Sequence, residues 1–118
     1  MEKENIIADK SKAFAIRIIK LYQYLTVEKK EYILSKHILR SGTSIGANIR
    51  EGMYGQSRAD FHTKLTIALK ETAETDYWLE LLIETEYITM EQYNSIAADC
   101  KELLKILTSI TKKTKNNK

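Results

Sequence analysis

Apolar positions recur at three- and four-residue intervals in four stretches of this chain. In the first, about residues 5–25, Ile7, Phe14, Ile18, Leu21 and Leu25 are spaced by 7, 4, 3 and 4, the heptad-like period of helices packed in a bundle. The second runs over about residues 29–53, where Leu34, Ile38, Ser41, Ile45, Asn48 and Gly52 keep the same rhythm. Gly55-Gln56-Ser57 interrupts it, and Ser57 followed by Asp60 predicts an N-cap. The third stretch, about 57–86, carries Phe61, Leu65, Ala68, Thr72, Thr75, Leu79 and Leu82. Thr89 with Gln92 forms a capping-box pattern opening the fourth, about 89–112, whose stripe is Tyr93, Ile96, Cys100, Leu103, Leu107 and Ile110. A basic, asparagine-rich tail over 113–118 is expected to fray. Four such helices with short connections predict an all-α, up-down-up-down antiparallel four-helix bundle, one domain over residues 1–118.

The third helix carries a second stripe. Ile67, Glu71, Glu74, Trp78 and Leu81 recur at 4, 3, 4 and 3 on a face about 100° around the helix from the core stripe. A bundle helix needs one apolar face, so a second one bearing tryptophan predicts contact with another subunit through Ile67, Trp78 and Leu81. The alternative is that Trp78 widens the contact with a neighbouring helix of the same bundle. Rings and symmetric dimers both fit.

All four glycines lie between residues 42 and 55. Glycine inside a helix costs about 1 kcal/mol relative to alanine, so Gly42 and Gly46, one turn apart, predict close approach of a neighbouring backbone. Proline is absent, which removes the strongest helix breaker. With 43% hydrophobic and 30% charged residues, the composition is that of a folded soluble chain. The longest uncharged run, Ser41 to Ile49, is far too short for a membrane span. The opening residues show no secretory signal pattern. The single Cys100 excludes an internal disulfide framework, and these features together predict a cytoplasmic protein. Cys100 falls on the apolar stripe and is expected to be a buried, inert thiol.

Charge is unevenly spread. Residues 1–40 hold nine Lys/Arg against five Asp/Glu, residues 41–100 four against ten, and residues 101–118 six against one. The first and last helices of an antiparallel bundle are neighbours, so their surplus gathers on one side and at the tail. Lys10, Lys12, Arg17, Lys20, Lys101, Lys105, Lys112, Lys113 and Lys115 are the candidate phosphate-binding residues, with salt-sensitive affinity for RNA or DNA. A solvated helix surface attracted to an acidic neighbouring subunit is the competing explanation.

Chemistry is hard to find. His37 and His62 lack the Glu-x-x-His spacing of helical di-iron sites, one cysteine makes no zinc constellation, and no Lys-Ser/Thr follows a glycine as a phosphate loop requires. His37 is poorly placed as a base for Ser41 or Ser44. The expectation is a protein with no catalytic residues, metal or cofactor. A polar cluster remains: Ser44, Asn48 and Glu51 on the second helix, Glu71 and Glu74 on the third. A buried carboxylate there needs a partner, with Asn48, Ser44, Arg40 and Arg50 as candidates. Its expected role is to fix helix register or subunit geometry, with a ligand site as the alternative.

The run Leu34-Ser-Lys-His-Ile-Leu-Arg-Ser-Gly-Thr-Ser-Ile-Gly-Ala-Asn-Ile-Arg-Glu-Gly52 resembles the signature of the bacterial four-helix-bundle proteins called 23S rRNA intervening-sequence proteins. Asp60-Phe61 and Ile67-Ala-Leu-Lys-Glu-Thr-Ala-Glu-Thr-Asp-Tyr-Trp-Leu79 resemble the family's second block, and the likeness spans about residues 8–112. It implies a four-helix bundle assembling as a ring-shaped homopentamer. The family includes the accessory variability protein of diversity-generating retroelements, a basic pentamer that binds nucleic acid and a reverse transcriptase. Ser44, Asn48, Glu51 and Gly52 match the first block and Glu74 the second, whereas Glu71 stands where many members have serine. The family's name records where some of its genes lie, inside a ribosomal RNA insert, and describes no activity. Residues and resemblance together predict a non-enzymatic homo-oligomer associated with nucleic acid, and with a nucleic-acid enzyme such as a reverse transcriptase among its partners. A purely structural or protein-interaction scaffold is the alternative, and a small-molecule enzyme comes last.

Overall fold

A computed structural model describes residues 2–116, with side chains over residues 5–115. Four helices follow one another, α1 (Glu2–Val27), α2 (Leu34–Met53), α3 (Arg58–Glu84) and α4 (Met90–Asn116). Each packs against its sequence neighbour, and α1 closes the ring against α4, which leaves α1 and α3 diagonally opposed. This is the up-down-up-down bundle, a rod with extents of 45 × 20 × 19 Å. The predicted stripes line its core: Ile7, Phe14, Ile18, Leu25, Ile38, Ile45, Leu65, Leu79, Leu82 and Leu107 are wholly buried.

Gly42 and Gly46 lie where α2 crosses α1. A methyl group at Gly42 would sit 2.7 Å from Ile18 Cγ1 and 3.2 Å from Ile18 Cβ, and one at Gly46 would sit 3.2 Å from Ser11 Oγ. Between α2 and α3, Thr75 Oγ1 donates to Ser41 Oγ at 2.8 Å, so the polar residues on the two core stripes satisfy each other. The α1–α4 seam is the least extensively packed of the four.

Three helix ends differ from the sequence expectation, each for a local reason. The second helix begins at Leu34 and not near residue 29. Lys30 takes a left-handed φ of 55° and turns the chain, and Glu31 then places its carboxylate over the start of α2. That carboxylate accepts from the backbone N–H groups of Ile33, Leu34 and Ser35 at 3.1, 2.9 and 2.7 Å. Burial pushes the Glu31 carboxyl up, but these backbone donors outweigh it and hold the group below its usual range. At the end of α3, Glu86 adopts φ 64° and Tyr87 N–H reaches Leu82 O at 2.9 Å while Glu86 N–H reaches Ile83 O at 3.1 Å. This is a Schellman closure without glycine. The tail continues as helix to Asn116, because Thr111 and Thr114 are buried and Thr114 Oγ1 shares a 2.7 Å hydrogen bond with His62 Nδ1 on α3. Residues 117 and 118 of the expected tail lie outside the described residues. The other two predicted caps form: Ser57 Oγ accepts from Asp60 N–H, and Thr89 and Gln92 exchange the reciprocal capping-box bonds.

Candidate nucleic-acid interface

The nine basic residues singled out in the sequence divide into two groups. Arg17 Nη1 donates to Asp99 Oδ2 at 2.6 Å and its guanidinium also reaches Ser95. Lys10 pairs with Glu102 at 3.3 Å. Lys101 turns away from the seam to Asp76 on α3 at 3.2 Å, a bond that holds its ammonium above the usual lysine range. These three cations therefore close helix seams. Solvent-exposed pairs of this kind contribute about 0–1 kcal/mol each, and their larger effect here is to cancel positive charge along the side of the rod. Among the described residues, Lys12, Lys20, Lys105, Lys112, Lys113 and Lys115 make no ion pair.

The antiparallel topology gathers most of these unpaired cations at one end of the rod. The start of α1, the end of α2, the start of α3 and the end of α4 meet there, as the His62–Thr114 bond shows. Lys12 comes from α1, Arg50 from α2, Arg58 from α3, and Lys112, Lys113 and Lys115 from α4. Of the described acidic residues at this end, Glu51 is bound to Lys64 at 2.8 Å, Asp60 accepts the backbone N–H of Gln56 in the α2–α3 turn, and Asp9 near the start of α1 is exposed without an ion pair among the described residues. Lys12 and Arg50 border a groove of about 340 Å³ floored by small residues, among them Ala8, Ser11 and Gly46. The opposite end carries Glu28, Glu31, Glu84, Glu86 and Glu91 among its residues and has no comparable surplus.

Sequence reasoning missed Arg50, Arg58 and Tyr54 at this basic pole. Tyr54, in the α2–α3 turn, is 84% exposed. All three flank the one Gly/Ser-containing break, so the antiparallel arrangement combined with that break could have put them beside the α4 lysines. Net charge summed along the chain hid them, because residues 41–100 are acidic overall.

The expected polar cluster separates into three parts. Arg40 bridges Glu71 and Glu74, donating from Nη1 to Glu71 Oε2 at 3.2 Å and from Nη2 to Glu74 Oε2 at 2.6 Å. Trp78 Nε1 donates to the same Glu74 oxygen at 2.9 Å. Bonds from Arg40 and from the indole hold the Glu74 carboxyl below its usual range, and the two carboxylates raise Arg40. Glu71 Oε1 is buried and 3.2 Å from Arg40 Nη2, yet it lies off the hydrogen-bonding direction and accepts no bond. His37 stacks on Trp78 with ring centroids 4.8 Å apart. Ser44 and Asn48 bond back to their own helix, at Arg40 O and Ser44 O, and Glu51 joins Lys64. Trp78 is half-buried against the core and His37 of α2, Leu81 is half-buried, and Ile67 is 37% exposed.

Cys100 is wholly buried, and burial pushes its thiol up to about 12, which makes it a poor nucleophile. Among the described residues, no three His, Cys, Asp or Glu side chains gather as a metal ion needs, and no helix is long and apolar enough to cross a membrane.

A family model described as 23S rRNA-intervening sequence protein matches residues 3–109. The chain is also similar to a crystal structure of a protein with unknown function from the S23 ribosomal protein family of Bacteroides thetaiotaomicron. The two share 64% sequence identity and a TM-score of 0.91, over 93% of this chain and 98% of that one. A search of curated proteins finds no match.

Proposed function

The chain belongs to the 23S rRNA-intervening sequence protein family, and from that premise we propose that it is a non-enzymatic helical-bundle protein that associates with structured RNA through its basic pole. The observation that carries this reading is the gathering at one end of the rod of Lys12, Arg50, Arg58, Lys112, Lys113 and Lys115, which make no ion pair among the described residues, while Lys10, Arg17 and Lys101 along its side are internally paired. Phosphate contacts by unpaired cations release counterions and dominate affinity for nucleic acid. The interface is thereby shifted from the α1–α4 side to the α4 end.

Assembly belongs to the same reading. Ile16 and Ile19 on α1 are 47% and 41% exposed, and Ile67 and Tyr77 on α3 are 37% and 54% exposed. Helices α1 and α3 are diagonally opposed in the bundle, so two unlike apolar faces look outward on opposite sides. Two different faces suit head-to-tail contact that closes into a ring, and the family resemblance makes that ring a pentamer. Cyclic symmetry would set every basic pole on one side of the ring, converting weak single contacts into avidity. A reverse transcriptase or another nucleic-acid enzyme is a partner by the same resemblance. The exposed apolar faces equally favour a second reading, a protein-interaction scaffold without nucleic acid.

The test is binding of a fluorescent structured RNA across a salt series. Replacing Lys112, Lys113 and Lys115 by glutamine is expected to weaken binding and to flatten the salt slope by about one for each phosphate no longer neutralised. Replacing the paired Lys10, Arg17 and Lys101 is expected to change binding far less. Equal effects from both sets would return the interface to the side of the rod, and no binding by the parent protein at low salt would favour the scaffold reading.

A further inference from the structure

The α2–α3 turn pairs a rigid backbone with an aromatic side chain that the fold does not use. Gly52 seats the end of α2 directly on α3: a methyl group there would lie 3.1 Å from Lys64 Cβ and 3.2 Å from Leu65 Cδ1. Tyr54 N–H bonds to Arg50 O and Glu51 O, and Gly55 N–H to Gly52 O. Asp60 and Ser57 then lock the far side of the turn through Gln56 N–H and Asp60 N–H. Gly55 has no room for a side chain, since a methyl would meet Asp60 Cβ and Gly52 O at 3.1 Å. On this clamped turn Tyr54 is 84% exposed. Its hydroxyl has no hydrogen-bond partner and its ring no aromatic or cationic contact among the described residues. A tyrosine that neither packs nor hydrogen-bonds adds nothing to folding.

Two arginines flank it along the chain, and the nearby Glu51 and Asp60 are engaged with Lys64 and the turn backbone. Arg50 stands one turn before Tyr54 on α2, about 5–6 Å away at the Cβ atoms, and Arg58 opens α3 just after the turn. Neither guanidinium makes an ion pair among the described residues. An exposed aromatic side chain flanked along the chain by two arginines that make no ion pair among the described residues, held on a clamped backbone, suits an unpaired base whose neighbouring phosphates meet the cations. We propose that Tyr54 is a stacking platform for a single-stranded segment of nucleic acid, such as a loop or an overhang, with Arg50 and Arg58 on the adjoining phosphates. The inference rests on the nucleic-acid reading above and narrows it from structured RNA in general to an unpaired base within it. An acidic protein segment could use the same cations, but it offers no ring to stack on Tyr54.

The experiment compares a fluorescent single-stranded RNA of about twelve nucleotides with a duplex RNA of the same length, against the full chain and its Tyr54→Ala and Tyr54→Phe variants. DNA of the single-stranded sequence, run alongside, tells which sugar backbone is held. Stacking is worth enough per base that Tyr54→Ala should weaken single-strand binding roughly tenfold, with duplex binding and the salt slope unchanged and Tyr54→Phe near the parent. Circular dichroism confirms that helix content is retained in both variants. Unchanged single-strand affinity in Tyr54→Ala, alongside the weakening produced by Lys112→Gln, Lys113→Gln and Lys115→Gln, would overturn the stacking role and leave the basic-pole reading standing. If the parent binds neither RNA at low salt, both readings fall together. Binding of polyglutamate as tightly as RNA would overturn the stacking role by making the pole a general polyanion surface.

Discussion

Glu31 shows how much one side chain can decide about where an element begins. Its carboxylate replaces the missing intrahelical partners of three backbone N–H groups at the start of α2, a service for which Ser, Thr, Asp and Asn are the usual residues. Its carboxyl is held below the glutamate reference of 4.5, which means folding favours the ionised form. The stability it contributes is therefore fully present above pH 4.5 and is lost as pH falls through the lowered folded value. Glu31→Gln should cost about 1 kcal/mol at pH 7, with a smaller difference from the parent at an acidic pH below the glutamate reference of 4.5. Urea unfolding at the two pH values reads this directly, and a pH-independent difference would assign the loss to packing. None of this was legible in the chain, because Glu31 sits inside a stretch of charged residues, Glu28 to Glu31, whose composition continues a helix as readily as it caps one. Cys100 was legible for the opposite reason: its place on an unbroken apolar stripe left burial as the consistent outcome.

At the scale of helices, the core stripes could be read from spacing alone, since a period of 3.5 to 3.6 leaves little freedom in which face turns inward. The caps that open α3 and α4 could be read as well, but the left-handed stops at Lys30 and Glu86 could not. Glycine is the expected residue at a left-handed helix stop, yet every glycine here is used elsewhere, and Lys30 and Glu86 take the left-handed positions instead. The glycines of α2 show where that residue type went. Gly42 faces Ile18, whose branch point lies too close for any side chain to be added without movement. Gly42→Ala should gain about 1 kcal/mol of helix propensity and lose more through overpacking of a buried isoleucine, typically 1–3 kcal/mol, for a net loss of up to about 2 kcal/mol. Gly46→Ala, opposite the Ser11 hydroxyl at 3.2 Å, should be close to neutral. Denaturant midpoints of the two variants separate these outcomes, and a stabilised Gly42→Ala would mean that α1 and α2 can move apart at no cost.

For the whole molecule, Arg40 was legible as a candidate partner of the α3 carboxylates, but the stacking of His37 on Trp78 was not. His37 on α2 stacks on Trp78, and Arg40 draws Glu71 and Glu74 toward the same helix, contacts that depend on how two helices are rotated about their axes. Trp78→Ala is expected to lower the oligomeric state, measured by light scattering, more than it lowers helix content, measured by circular dichroism. Parallel loss of both would confine Trp78 to the α2–α3 contact inside one chain. The positive residues likewise became a single feature only when the topology brought four helix ends together, and that arrangement has a geometric corollary. A rod 45 Å long and about 20 Å across that meets a polyanion with its tip covers little of it. At 3.4 Å per base pair along a strand, an upright chain occupies about six base pairs and one lying flat about thirteen. Bound upright, as the basic-pole proposal has it, the molecule would leave its flanks clear, so neighbouring copies could crowd shoulder to shoulder along a nucleic acid without competing for its length.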